Sequence, residues 1–281
     1  QNVSGGGSDA FLVKFDAATG ARLWATYYGG AGTEIGFSTA TDGFGNVYLA
    51  GITDSPLGIS SGGFQNAYAG GGPPDAFLVK FDAVTGARLW ATYYGGTSIE
   101  EIYTVVTDAS GNVYLGGDTY SAGGVASGGY QNIYSGIENE FIVTFDGNGN
   151  RLCATYYGQG SGTDPDNEEG HIAVDPFGNV YLSGHTYSPS GMASGGFKNG
   201  YGGSADAYLV KFSSCFGPLN TNAFSTDINC SGTCSGTGKA LPAGGIAPYT
   251  YSWNTSSVQT TQTATGLCVG SYTVIVTDNV G

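Results

Sequence analysis

The stretch TGARLWATYYGG fills Thr19–Gly30 and returns letter for letter at Thr85–Gly96, with a diverged form, GNRLCATYYGQ, at Gly149–Gln159. Trp24 and Trp90 are therefore 66 residues apart. Other marks keep the same step. DGFGNVYLAG begins at Asp42, DASGNVYLGG at Asp108 and DPFGNVYLSG at Asp175, intervals of 66 and 67 residues. DAFLVKFDA begins at Asp9 and Asp75, NEFIVTFDG at Asn139 and DAYLVKFSS at Asp206. A unit of about 66 residues thus recurs roughly three times over the first 215 positions, and self-similarity at a fixed period marks an array of supersecondary units.

Inside each unit the apolar period is two. In FLVKFD, Phe77, Val79 and Phe81 fall on one side and Leu78 and Lys80 on the other; NVYLAG, ARLWATYY and FSTATD also read as short strands. Gly45-Asn46, Gly111-Asn112 and Gly178-Asn179 mark tight turns, as do Thr19-Gly20 and Thr85-Gly86. From Asp9 onward the strands fall into sets of two, four, four and three. One four-stranded sheet cannot bury both of its faces alone, so neighbouring units must stack face to face, and the same dozen residues recur because every unit covers its neighbour alike. Radial stacking of such units is a β-propeller. The expected fold is all-β, a propeller-like stack of four-stranded blades over residues 1–217.

Composition narrows the function. The 281 residues include 51 Gly and 20 Tyr, only 11% are charged, and 22 acids against 8 bases give a net charge of −14. Such a surface repels nucleic-acid phosphates and attracts cations. No apolar run approaches the roughly 18 to 20 residues that span a bilayer, so no transmembrane segment is expected. The sequence opens without a leader, as a mature or excised chain would. QNVSGGGSDAF at its start matches the internal QNAYAGGGPPDAF. The reading therefore begins inside a repeat, with either further blades upstream or a second copy completing the partial sheet. Five Cys favour an oxidising exterior.

HIAVDPFGNVYLSG (His171–Gly184), DAFLVKFDAVTGARLWATYYGG (Asp75–Gly96) and SGGFQNAYAGG (Ser61–Gly71) resemble the SBBP-type β-propeller repeat of bacterial secreted proteins over nearly all of residues 1–215. The resemblance implies HIAVD (His171–Asp175) as innermost strand, then NVYLSG, DAYLVKF and, outermost, RLWATYY. It carries no catalytic constellation.

After Phe216-Gly217-Pro218 the composition shifts to Thr, Ser and Gly. Alternation in PYTYSW (Pro248–Trp253) and YTVIVTD, with Trp253 as core aromatic, reads as a small immunoglobulin-like sandwich over 218–281. Cys230-x3-Cys234, PYTYSW and TATGLCVGSYTVIVTD (Thr263–Asp278) resemble the SprB-type repeat of surface adhesins in gliding bacteria. That resemblance implies a cell-surface protein exported by the type nine route, with a further Cys just beyond the last residue read here. Cys230, Cys234 and Cys268 are disulfide candidates in a domain too small to rely on its core. Cys153, at the Trp position of its repeat, and Cys215, after the last propeller strand, are candidates for a closing bridge or single buried thiols.

Residues that carry chemistry are few. With only two His, both within strands at Gly36-like or Ile102-like and Ile52-like positions, the reading is not an enzyme. TDPDNEEGH (Thr163–His171) groups Asp164, Asp166, Asn167, Glu168 and Glu169 in a loop, a candidate calcium site from hard oxygens in a short segment. Glu34 and Glu100-Glu101 recur at the matching joints, where an acid caps a strand end or faces solvent. Three long insertions fall at one place in each unit and present Tyr68, Tyr134 and Tyr201 with Gln65, Gln131 and Asn199. Flat rings and amides suit glycan or protein contacts, while equal spacing suits loops anchored on their own blades. The expected function is a non-catalytic extracellular structural or adhesive surface protein, self-associating into a filament or meeting neighbouring surface proteins. The alternative is a lectin-like module using the insertions.

Overall fold

The computed structural model describes residues 1–70, 72, 74–158, 167–176, 178–212, 220–226, 234–243 and 249–277. The period-two segments are strands, joined antiparallel in chain order, and no helix occurs among the described residues. The first sheet pairs β1 (Ala10–Phe15) with β2 (Arg22–Tyr28). The second runs β3 (Glu34–Thr41), β4 (Asn46–Thr53), β5 (Asp75–Asp82) and β6 (Arg88–Tyr94), and the third β7 (Glu100–Thr107), β8 (Val113–Thr119), β9 (Asn139–Phe145) and β10 (Arg151–Tyr157). The fourth holds β11 (Asn167–Val174), β12 (Val180–Thr186) and β13 (Asp206–Phe212).

The GNVY motif explains the first turn of each unit. Asp42 Oδ1 accepts the N–H groups of Phe44 and Asn46, both at 2.9 Å. Its Oδ2 accepts from Asn46 Nδ2 at 2.7 Å and the Tyr48 hydroxyl at 3.1 Å. Asp108 and Asp175 repeat the bonds to Asn and Tyr. Gly45, Gly111 and Gly178 sit at φ of 84°, 82° and 80°, which a side chain would resist. A bulge lies between Gly36 and Ser38, between Ile102 and Thr104, and between Glu168 and His171, the matching stretch of each first strand, where an extra residue sharpens the twist.

The sheets stack through their faces, with β7 lying on β3 and β4 and β11 on β7 and β8. The second Tyr of each ATYY makes the joint. Tyr28 meets Phe77 and Phe81 of the next sheet at 5.1 and 6.0 Å between ring centroids. Tyr94 meets Phe141 and Phe145 at 5.5 and 5.7 Å, and Tyr157 meets Tyr208 and Phe212 at 5.8 and 5.5 Å. Their hydroxyls donate to Ile59 O, Val125 O and Met192 O, so each buried ring carries a satisfied polar end. Farther out, Lys14 Nζ and Trp24 Nε1 both donate to Ala83 O, at 2.8 and 3.2 Å; Lys80 and Trp90 grip Gly147 O at 2.8 and 3.0 Å. At the third joint these positions are Thr144 and Cys153, and Cys153 is buried and disulfide-bonded.

The chain divides into two compact units, Gln1–Phe212 and Ser213–Gly281. In the second, β14 (Asn220–Thr226), β15 (Gly236–Ala243) and β17 (Thr263–Leu267) form one sheet, and β16 (Thr250–Trp253) and β18 (Val274–Thr277) another. Both contribute to one core of Ala240, Trp253, Ala264 and Leu267, with Val274 and Val276 against it. Cys234 is joined to Cys268; Cys215 and Cys230 lie outside the described residues.

Two expectations need correction. Asn167, Glu168 and Glu169 are not in a loop: β11 starts at Asn167, at the place of Glu34 and Glu100, because the bulge after Glu168 lets pairing continue past it. His171 pairs with Ser183, the place held by Ser38 opposite Ala50 and Thr104 opposite Gly116, not the Gly36 or Ile102 place. The steps of 66 and 67 residues between the GNVY turns set His171 level with Thr104 and Ser38, two residues past Ile102 and Gly36.

Tyr94→Ala is expected to cost about 3–5 kcal/mol, as a large buried ring leaves a cavity, and Tyr94→Phe about 1–2 kcal/mol, as Val125 O loses its buried donor. Tyr27→Phe, at a ring 44% exposed, should change stability by less than about 0.5 kcal/mol. Denaturant unfolding of the three variants checks the order.

Candidate functional site

The insertion between the second and third strands of each unit is a strap along the sheet's outer edge. Ser61 exchanges backbone bonds with Ala91 of β6 at 2.8 and 2.9 Å, and Tyr93 N–H donates to Gln65 O at 3.0 Å. In the third sheet Ser127 pairs with Ala154 of β10 and Tyr156 N–H donates to Gln131 O. Gln65 N–H and Gln131 N–H donate to Thr92 Oγ1 and Thr155 Oγ1 at 2.7 and 2.8 Å. At the first sheet, Tyr27 N–H donates to Gln1 O at 3.1 Å, the same bond.

The shared SGG sequence makes this possible. Gly62 and Gly128 take φ of 71° and 74°, reversing the strap. A Cβ on Gly63 would meet Ala91 O and Thr92 Cβ at 2.6 Å, so only glycine lets the backbones approach. The next aromatic then crosses to the following sheet. Phe64 lies 6.5 Å from Tyr94 and 6.4 Å from Phe145, with the Arg151 guanidinium 4.4 Å from its ring centroid; Tyr130 lies 6.4 Å from Tyr157 and 6.0 Å from Phe212. In the fourth sheet no outer strand pairs with β13 among the described residues, and Phe197 is fully exposed.

The proposed contact residues are placed as follows. Tyr68 packs edge-on against Tyr93 at 5.8 Å and Tyr134 against Tyr156 at 5.6 Å. The Tyr201 hydroxyl donates to Ser204 O. Gln65 and Gln131 turn their amides to Ala67 O and Ile133 O at 3.1 Å. Asn199 Nδ2 donates to Gly196 O at 3.2 Å, as Asn66 and Asn132 do to Gly63 and Gly129. The rings and amides thus build the straps they belong to, each on its own sheet. Asn199 and Tyr201 also line a small hollow of about 70 Å³ with Lys198 and Asp206, whose side chains are 3.1 Å apart.

Carboxylates gather at the joints. Glu34 and Glu100, 1% and 0% exposed, do not face solvent. Each accepts from a backbone N–H, of Gly30 or Gly96, and from a Thr hydroxyl, of Thr53 or Thr119. Glu101 belongs to a second group, whose other members were not legible residue by residue. Across the third sheet Glu101 stands opposite Asp118, and Asp118 opposite Glu140, where the second sheet has Ile35, Ile52 and Ala76. The Tyr208 hydroxyl donates to Glu140 at 2.6 Å and that of Tyr103 to Glu101 at 2.7 Å. Burial, then the charge of Asp118, holds Glu140 well above the usual carboxylate range. Lining up the repeats by rows, and not by single strands, would have revealed these acids.

Among the described residues no group of three or more His, Cys, Asp or Glu converges as a metal site. Asp164 and Asp166 lie outside the described residues, and Glu168 and Glu169 are described only as β11 backbone. His171 Nδ1 is 2.9 Å from Thr104 Oγ1 of the neighbouring sheet, and His185 packs edge-on to Tyr187 at 5.6 Å. No helix among the described residues is long and apolar enough to cross a membrane. No family model matches the chain, and no curated protein matches it.

Gly63→Ala should lift the first complete strap. Amide exchange at Tyr93 should accelerate about tenfold or more for a loss near 1.4 kcal/mol, with new proteolysis inside residues 58–70. Gly196→Ala, where the nearest atom to a Cβ is 3.9 Å away, should change neither readout.

Proposed function

We propose that the chain is a non-catalytic structural or adhesive protein of the cell exterior, built as a β-propeller of SBBP-type repeats joined to an immunoglobulin-like SprB-type module. It reaches the surface by the type nine route and works by assembling, with copies of itself into a filament or with neighbouring surface proteins. One observation carries the reading: the recurring Tyr, Trp, Lys, Gln and Asn side chains of the repeats are engaged in joints and straps, from Tyr28 and Lys14 through Gln131 and Tyr157. That is the economy of a scaffold, in which repetition serves shape. The Cys234–Cys268 bridge suits an oxidising exterior, and a net charge of −14 keeps separate particles apart until a specific contact forms.

Electron microscopy of the protein as its cells release it tests the reading, beside a glycan array. Fibres with a regular axial repeat, or particles decorating the cell surface through a protein partner, are the expected outcome. Isolated particles that bind a defined sugar would replace it with the lectin-like alternative, and isolated particles with hydrolytic turnover would overturn it.

A further inference from the structure

The joints between sheets are near copies, which makes a chemical difference between them readable. Asp75 opens β5 and Asn139 opens β9, and each receives a strap N–H: Ala69 donates to Asp75 Oδ2 and Ser135 to Asn139 Oδ1, both at 2.9 Å. The other side-chain atom differs. Asn139 Nδ2 donates to Ser135 O at 2.9 Å and Glu138 O at 2.8 Å. Asp75 Oδ1 holds the corresponding place in a residue 0% exposed, and no donor reaches it. As a carboxylate oxygen it would be a buried acceptor left without a donor, an unfavourable state for a charged group.

The groups facing Asp75 make its charge costlier still. From β7 comes Glu100, also 0% exposed. A Cβ on Gly95 would lie 3.3 Å from Asp75 Cγ and 3.0 Å from Glu100 Cδ, so both carboxyls close on one glycine. From the strap comes Tyr68 and from β6 Tyr93, whose own ionisation the Asp75 charge opposes. At the first joint Asp9 has donors for both oxygens, Ser4 Oγ at 3.0 Å and Gly5 N–H at 2.9 Å. At the third joint both acids are replaced, by Asn139 and Asn167. An amide there supplies permanently the donor that a carboxylic acid supplies only while it keeps its proton.

We propose that Asp75 is a protonated carboxylic acid donating through Oδ1, and that release of this proton to solvent near neutral pH loosens the joint between the second and third sheets. The device is an acid-closed latch: the O–H bond that breaks is the one that does the work of the Asn139 amide. Burial raises Asp75 from 3.8 to about 6 and Glu100 from 4.5 to about 7. Both shifts are upward, so the folded chain holds protons that the unfolded chain has already released. The stabilisation is complete below the unfolded values and drains away as pH rises from about 4 through about 7.

Melting temperature against pH, on the full 281-residue chain, reads the latch. Asp75→Asn should melt about 2–6 °C above the parent near pH 8 and match it near pH 4.5. The reciprocal Asn139→Asp should steepen the fall with pH. Should either variant fail to fold, carboxyl ¹³C shifts of the parent decide, with Asp75 expected to titrate near pH 6 or above. The proposal is overturned if Asp75→Asn lowers the melting temperature equally at both pH values, or if the Asp75 carboxyl titrates near its ordinary value.

Discussion

A four-stranded sheet has two faces to dry, and in this chain the second Tyr of each ATYY closes that gap. Tyr28, Tyr94 and Tyr157 each lay a ring on two aromatic side chains of the following sheet and tie their hydroxyls to its strap. An aromatic pair adds about 0.5–1.5 kcal/mol beyond the area it buries, and the hydroxyl bond sets how far the sheets can slide. Everything farther out depends on that register. Lys80 and Trp90 can grip Gly147 O only if the facing turn is held at the right height.

The second constraint is the outer edge. An unpaired strand is a template for aggregation, commonly blunted by charge or covering. Here the strap covers it with two bonded stations, Ser61 on Ala91 and Gln65 on Tyr93, and then sends Phe64 across to the next sheet. The insertion is therefore both a cap and a brace. This reconciles its length with a structural role: about a dozen residues are needed to run from the end of β4 around to the edge of β6. Long loops of this kind are usually functional or disordered; Tyr68 on Tyr93 and Tyr134 on Tyr156 pack these against their sheets.

Much of this was legible because it is local. The Asp-x-x-Gly-Asn-x-Tyr turn, the alternation of FLVKF and the hairpin residues act over a few positions, so the strands of the repeats, in sets of two, four, four and three, follow directly. What escaped depends on distant partners. Ser61 meets Ala91 thirty residues on, and only the glycines of SGG hint that two backbones approach. The Glu101, Asp118 and Glu140 row is assembled from three strands and has no signature in any one of them. The place of His171, level with Ser38 and Thr104 and two residues past Gly36 and Ile102, follows from the 66- and 67-residue spacing of the GNVY turns.

Differences among the joints are as informative as their likeness. Lys and Trp give way to Thr144 and a disulfide-bonded Cys153, and Asp gives way to Asn139, so the stacking is kept while its fastening changes. The claim beneath all of it is that each sheet is stable only against its neighbours. Native-state hydrogen exchange of the parent and a Phe141→Ala variant measures this directly. The account predicts that amides of β4–β6 in the second sheet lose protection together with those of the third, although the substitution lies in β9. Loss of protection confined to the third sheet, with the second unchanged, would contradict it.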